Sequence, residues 1–224
     1  MKHFLIVFLA IIFLSCSATR GIKYKPIVFD QERAELTSAY LLEHYGIQQE
    51  SPDITPKMIV LHWTVIPTLD EAFEAFDKPS LPNSRSDIIS AGSLNVSSQF
   101  MVDRDGTIYS LMPETNMARH VIGLNHCAIG VENVGGTEAL PLTKAQLKAN
   151  IWLVEYLYDK YPIEYLIGHY EYTNFADHPL WLEKDNNYRT LKTDPGKDFM
   201  DKVRKATKNL NFKPVPKNPQ NNDQ

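Results

Sequence analysis

Leu147, Ile151, Val154, Tyr158 and Tyr161 recur at intervals of four, three, four and three residues, the spacing of one apolar face of a helix. Thr143 and Gln146 stand just ahead of this stripe as a capping-box pair that marks the helix start. Short apolar runs at 129–134 and 165–167 flank it and have the length and character of buried strands. A helix threaded between two buried strands restricts the chain to sheet-and-helix architectures. The rest of the body repeats the theme. Residues 58–61 read as another buried strand, and Asp30 opens a predicted helix with Ala34, Leu41, Leu42 and Tyr45 on its inner face and Gly46 at its end. Thr68 and Glu71 cap a further helix carrying Ala72, Phe73 and Phe76. Runs at 96–102 and 107–112 flank Asp103-Arg104-Asp105-Gly106, a hairpin in which glycine supplies the positive φ. Phe199, Val203 and Ala206 mark a last helix. The expected fold is α/β, a central mixed β-sheet flanked by helices, over residues 30–207.

Both ends differ from this body. Lys2 precedes an unbroken apolar run from Phe4 to Leu14. As a helix it spans about 16 Å at ~1.5 Å per residue, short of a ~30 Å hydrocarbon core, so an export signal fits better than a membrane span. It ends Phe13-Leu14-Ser15-Cys16, similar to a lipobox with Cys16 as the acylated residue; cleavage near Ser15–Ala18 without lipid is the alternative. Residues 1–16 are thus expected to be a lipoprotein signal peptide and 17–29 a tether. Residues 208–224, with Pro214, Pro216 and Pro219 among Asn, Gln and Lys, are expected to form a disordered tail. The expected location is the cell envelope, on an outer-membrane-anchored lipoprotein facing the periplasm or cell surface. With 23 Lys+Arg against 27 Asp+Glu, the net charge of −4 lacks the basic excess of a nucleic-acid binder. A monomer is expected. Two cysteines make no disulfide framework, and Cys127, opening an apolar run, reads as a buried thiol rather than a nucleophile.

Polar residues at strand ends carry the candidate chemistry. His62 follows the run 58–61, Glu132 follows Ile129-Gly130-Val131, and His169 follows Leu166-Ile167-Gly168. Asp194 precedes Pro195-Gly196, and Lys192 stands two residues before it. Strand ends line the binding crevice of many α/β sheets. Two histidines and a carboxylate suit a zinc ion with one position left open. Each residue also has a plainer explanation: a structural histidine, an N-cap at Asp194, a paired carboxylate at Glu132, a surface cation at Lys192.

Taken as a set, in this order, the residues resemble the zinc N-acetylmuramoyl-L-alanine amidases of the amidase-2 type, related to bacteriophage T7 lysozyme and the peptidoglycan recognition proteins. The matching strings are Ile59-Val60-Leu61-His62-Trp63-Thr64, residues 98–109, Ala118-Arg119-His120, Ile129-Gly130-Val131-Glu132, Gly168-His169 and residues 192–199. The resemblance implies a central sheet with one zinc in a groove, ligated by His62, His169 and Asp194. It implies Glu132 as general base, Lys192 as the cation that stabilises the oxyanion, and His120 as a residue of the substrate groove. The implied reaction is attack of activated water on the lactyl–alanine amide of peptidoglycan or muropeptides.

Three departures accompany it. His169 and Asp194 are 25 residues apart, more than the family usually has, and Asp177 or His178 in the intervening stretch is an alternative third ligand. Arg119, counted with the substrate-binding residues, stands where the family commonly has Trp, and Gln99 where it often has His. Two competing classes remain. One is a non-catalytic peptidoglycan-binding module on the same fold. The other is a zinc peptidase, which lacks the expected His-Glu-x-x-His pattern here.

Overall fold

The computed structural model describes residues 21–82 and 91–217. Its strands are β1 (Ile22–Tyr24), β2 (Met58–Trp63), β3 (Phe100–Val102), β4 (Ile108–Ser110), β5 (Ala128–Asn133) and β6 (Tyr165–Gly168). They form one sheet in the order β1-β4-β3-β5-β2-β6. Only the β3–β4 hairpin is antiparallel; the other neighbouring pairs run parallel. The helices are α1 (Gln31–Tyr40), α2 (Leu69–Asp77), α3 (Lys144–Lys160) and α4 (Lys197–Ala206).

The period of two along each strand divides the interior into layers. Ile59, Leu61, Ile129, Val131 and Leu166 face α3 and α4 and pack with Leu153, Leu157, Met200 and Val203. Met58, Val60, Ala128, Tyr165 and Ile167 face the other way, onto Val121, Leu124, Tyr172 and Phe175. At Gly106, φ is +85° and an added Cβ would stand 2.7 Å from the Ala145 carbonyl oxygen. The hairpin turn therefore needs glycine both for its dihedral and for its packing against the start of α3.

Helix α3 starts where its capping box predicts: Thr143 Oγ1 accepts from Gln146 N at 3.0 Å, and Gln146 Oε1 accepts from Thr143 N at 2.9 Å. Its inner face is rotated from the expected stripe. Gln146, Ala149, Asn150, Leu153, Val154 and Leu157 are buried, while Leu147, Ile151, Tyr158 and Tyr161 pack half-buried along the flank. The cause is polar satisfaction. Gln146 Nε2 donates to the carbonyls of Val102 and Val134, at 3.2 and 2.8 Å, and Asn150 exchanges hydrogen bonds with Asn133. Amide side chains thus sit where an apolar pattern has no signal.

Helix α1 differs similarly. Asp30 caps it, accepting from Arg33 N at 3.0 Å, but the helix passes into a π-helical turn, Leu41–Tyr45, before Gly46. The wider turn brings His44 inward and leaves Leu42 exposed. The inner face carries Arg33, Thr37 and Tyr40 rather than Ala34. Arg33 is buried and its Nη2 donates to the carbonyls of Phe76, Asp77 and Lys78 at the C-terminal end of α2, where Asn95 Nδ2 also donates to Lys78 O. Burial pushes this guanidinium down to about 10, which still leaves it charged at neutral pH. Likewise Ala206 of α4 is exposed and Thr207 takes the inner position.

Two expected boundaries are corrected. The tether at 17–29 ends too late: Ile22–Tyr24 pairs with β4 as an edge strand, and Ile27 is buried against α2. The tail at 208–224 begins too early. Leu210 and Phe212 pack on the α3–α4 layer, Val215 packs on the other layer, and Lys213 N donates to Glu164 O at 2.8 Å. Neither segment is long enough to show a periodic pattern. The expected signal peptide with Cys16, and residues 218–224 of the expected tail, lie outside the described residues. No described helix is long and apolar enough to cross a membrane. Cys127 is buried just ahead of β5, and burial pushes its thiol up to about 12, so it is no thiolate nucleophile at neutral pH.

Candidate metal centre

Strand register assembles the site. His62 pairs with Glu132 across β2 and β5, and Leu61 pairs with Gly168 across β2 and β6, so His169 continues the row. Glu132, His62 and His169 therefore emerge side by side at the carboxyl ends of three parallel strands, on the face away from α3 and α4. Asp194 arrives from the loop before α4, held by Tyr170 N donating to its carbonyl at 3.0 Å. It is not the cap of α4, whose N-cap position is Gly196 without a side-chain bond.

His62 Nδ1, His169 Nδ1 and Asp194 Oδ2 form a triangle with sides of 2.9, 3.0 and 3.2 Å. All three side chains are buried. Ligand bonds of about 2.0–2.1 Å around a tetrahedral ion require donor edges of about 3.3 Å, so the triangle fits one face of such a polyhedron. Charge state agrees. Burial, then His62, pushes His169 down to about 4, which keeps the ring neutral. At Asp194 burial acts upward, but His169 and His62 outweigh it and hold the carboxyl far below its usual range. A neutral imidazole at His169 and an ionised carboxylate at Asp194, with His62 Nδ1 turned to the same point, are donors of the kind a divalent cation needs.

A second layer fixes His62. Its Nε2 lies 3.0 Å from His120 Nδ1, and His120 Nε2 lies 3.3 Å from the Ala128 carbonyl. For His62 Nδ1 to act as a ligand, the ring proton must sit on Nε2 and be donated to His120 Nδ1, which leaves His120 Nε2 to donate to the Ala128 carbonyl. Burial first and His62 second push His120 well below its ordinary value, so it stays neutral in this chain. Gly130 makes room: a Cβ there would stand 2.9 Å from the His120 ring. Asn133 Nδ2 donates to the His62 carbonyl at 2.9 Å, tying the ligand strand to the α3 amides.

Glu132 lies beside the triangle in a cleft of about 320 Å³ that Lys192 also lines. Its Oε2 is buried and has no hydrogen-bond partner among the described residues. Burial, opposed by His62, pushes its carboxyl up to about 7. A carboxyl near neutrality with a free oxygen beside a ligand set is suited to proton transfer.

The matching family model is Amidase_2, described as N-acetylmuramoyl-L-alanine amidase, and it covers residues 51–197. The chain belongs to the amidase-2 family. All of His62, His120, Glu132, His169, Lys192 and Asp194 fall within the matched span. Two solved structures from Clostridium intestinale URNW share the fold. N-acetylmuramoyl-L-alanine amidase LysC aligns with a TM-score of 0.50 at 23% identity, over 86% of this chain and 100% of that one. The endolysin amidase LysCS aligns with a TM-score of 0.51 at 21% identity, over 87% and 99%. No curated protein sequence gives a significant match. This amidase-2 hydrolase thus carries a buried His-His-Asp group suited to a catalytic metal.

The long segment between His169 and Asp194 supplies no ligand to that group. Asp177 is exposed, and His178 Nε2 lies 3.1 Å from the Tyr165 hydroxyl at the opposite end of β6. Instead the segment builds cleft wall. Tyr188 and Thr190 line the cleft, and Glu183 is paired with His44 at 2.9 Å inside the π-helical turn. The Tyr172 hydroxyl clamps Thr190, accepting from its N–H at 2.8 Å and donating to its carbonyl at 2.7 Å. Arg119 is buried in the same wall, donating to the carbonyls of Gly92 and Leu94 and to the Tyr188 hydroxyl and lying over the Tyr40 ring. Gln99 is buried just ahead of β3, where its Oε1 accepts from Gly130 N of β5 at 2.7 Å. Tyr40, Val65, Tyr188 and Thr190 were not foreseen as cleft residues; no local motif distinguishes them.

Proposed function

We propose that the chain is a zinc-dependent hydrolase that cleaves the amide between N-acetylmuramic acid and L-alanine of the stem peptide, in peptidoglycan or muropeptides. The observation that carries this reading is the convergence of His62 Nδ1, His169 Nδ1 and Asp194 Oδ2 beside the unpaired oxygen of Glu132. A zinc ion held by the three donors supplies Lewis acidity, which acidifies water and polarises a carbonyl. Glu132 removes the proton from water as it attacks the scissile carbonyl carbon. The same carboxyl then delivers that proton to the amide nitrogen, and the C–N bond breaks. Lys192 places positive charge on the cleft wall, where it favours the negative charge developing on the carbonyl oxygen. His120 holds His62 in the ligating tautomer. Treatment with a chelator is expected to abolish hydrolysis, and one equivalent of zinc per chain to restore it. Hydrolysis that persists at undetectable metal content would refute the zinc assignment.

The proposal extends to location. The apolar run before Ser15-Cys16 supports an exported protein, lipidated on Cys16 and anchored in the outer membrane. Cys16→Ala is expected to shift the mature protein from the detergent phase to the aqueous phase. An unchanged partition would contradict the anchor.

A further inference from the structure

Val65 lies three residues beyond His62, with φ at +59°. A β-branched side chain rarely adopts this left-handed conformation, because Cβ crowds the following carbonyl. The surrounding hydrogen bonds hold it there. Val65 N donates to Gly135 O at 2.9 Å and Gly135 N donates to Ile66 O at 2.8 Å. Thr64 Oγ1 accepts from Ile66 N at 3.0 Å and from Gly135 N at 3.2 Å. Glycine would make the same backbone contacts without strain. The isopropyl group contributes little to the interior in return, since Val65 is 59% exposed. It lines the cleft, in whose wall Ile66, Val96 and Ile122 provide further apolar surface. Strain held in place at an exposed position beside a ligand set points to a contact made with something outside the fold.

We propose that Val65 is a specificity-determining residue whose isopropyl group packs on a methyl group flanking the scissile amide. The inference rests on the reading given under Proposed function. Two methyls meet the description, that of the lactyl ether and that of L-alanine. Both are small apolar groups adjoining the bond to be cut, and a pocket contact with one such group is worth about 10-fold or more in discrimination.

The test compares wild type, Val65→Gly and Val65→Ile on a muropeptide, on its analogue with glycine for L-alanine, and on its analogue lacking the lactyl methyl. Val65→Gly is expected to raise Tm by about 2 °C, because the strain is relieved. It should raise KM about 10-fold with kcat within about twofold of wild type, a loss of the order of one methyl contact. Val65→Ile keeps the branched surface and should keep the wild-type KM. On the analogue lacking the contacted methyl the difference between wild type and Val65→Gly should vanish, which identifies the methyl. Equal KM for Val65→Gly and wild type on the full muropeptide would overturn the proposal. So would a difference that persists on both analogues, or a fall in Tm that Val65→Ile does not show. Repeating the comparison as binding to the Glu132→Gln protein removes the need for turnover. A wild-type protein without hydrolysis, but with the Val65-dependent binding, would refute the proposed reaction and leave this contact standing.

Discussion

Glu132→Gln is expected to retain the metal and lower kcat by about 10³-fold, within the range that general acid–base catalysis supplies. The substitution keeps the volume and one hydrogen-bonding oxygen at the end of β5 but removes the capacity to accept a proton. The His62, His169 and Asp194 donors are untouched, so metal content should match wild type. The direction with pH follows from the same group. Burial pushes the Glu132 carboxyl up to about 7, and only its ionised form accepts a proton. In kcat/KM, activity should rise with pH through that region and fall tenfold per pH unit on the acid side. A cation in the adjacent site favours the carboxylate and moves this limb below 7. Glu132→Gln should lose the limb altogether. Near-wild-type turnover in this variant would show that another group moves the proton.

Asp194→Ala should abolish both metal binding and hydrolysis, with metal affinity reduced by at least about 100-fold, the upper end of what loss of a mere supporting partner costs. Asp194 is the only charged donor in the triangle and bridges to both histidines, at 3.0 and 3.2 Å. Its removal leaves two imidazole nitrogens 2.9 Å apart with no anion to balance a cation. Asp177→Ala should keep both properties, because that carboxylate is exposed and not part of the ligand group. Metal analysis by mass spectrometry on both variants decides the point. Loss of metal in Asp177→Ala with retention in Asp194→Ala would reassign the third ligand.

The ligand strands were legible because short unbroken apolar runs, buried on both faces, end in polar residues, and parallel register then brings those ends into one row. That pattern marks His62, Glu132 and His169 as candidates, and the resemblance of the whole set to the amidase-2 family supplies their roles. Asp194 was harder to place, since a residue before Pro-Gly equally suits a helix cap and only the loop geometry separates the two uses. The inner face of α3 was misjudged because Gln146 and Asn150 point inward to satisfy strand carbonyls, and burial of a paired amide has no hydrophobic signature. In α1 the π-helical turn shifts the phase, so Leu42, expected on the inner face, is exposed and His44 is buried in its stead. The wall formed by Tyr188, Thr190 and Arg119 depends on contacts between segments more than 60 residues apart, and no local pattern encodes these.

Digestion of a purified disaccharide muropeptide, with products identified by mass spectrometry, tests the central claim most directly. The expected products are a stem peptide with a free L-alanine amine and a disaccharide with an intact lactyl carboxylate, formed with zinc and absent after chelation. Recovery of the muropeptide uncut from a zinc-loaded protein that binds it would make the chain a recognition module, and cleavage within the stem peptide would make it a peptidase.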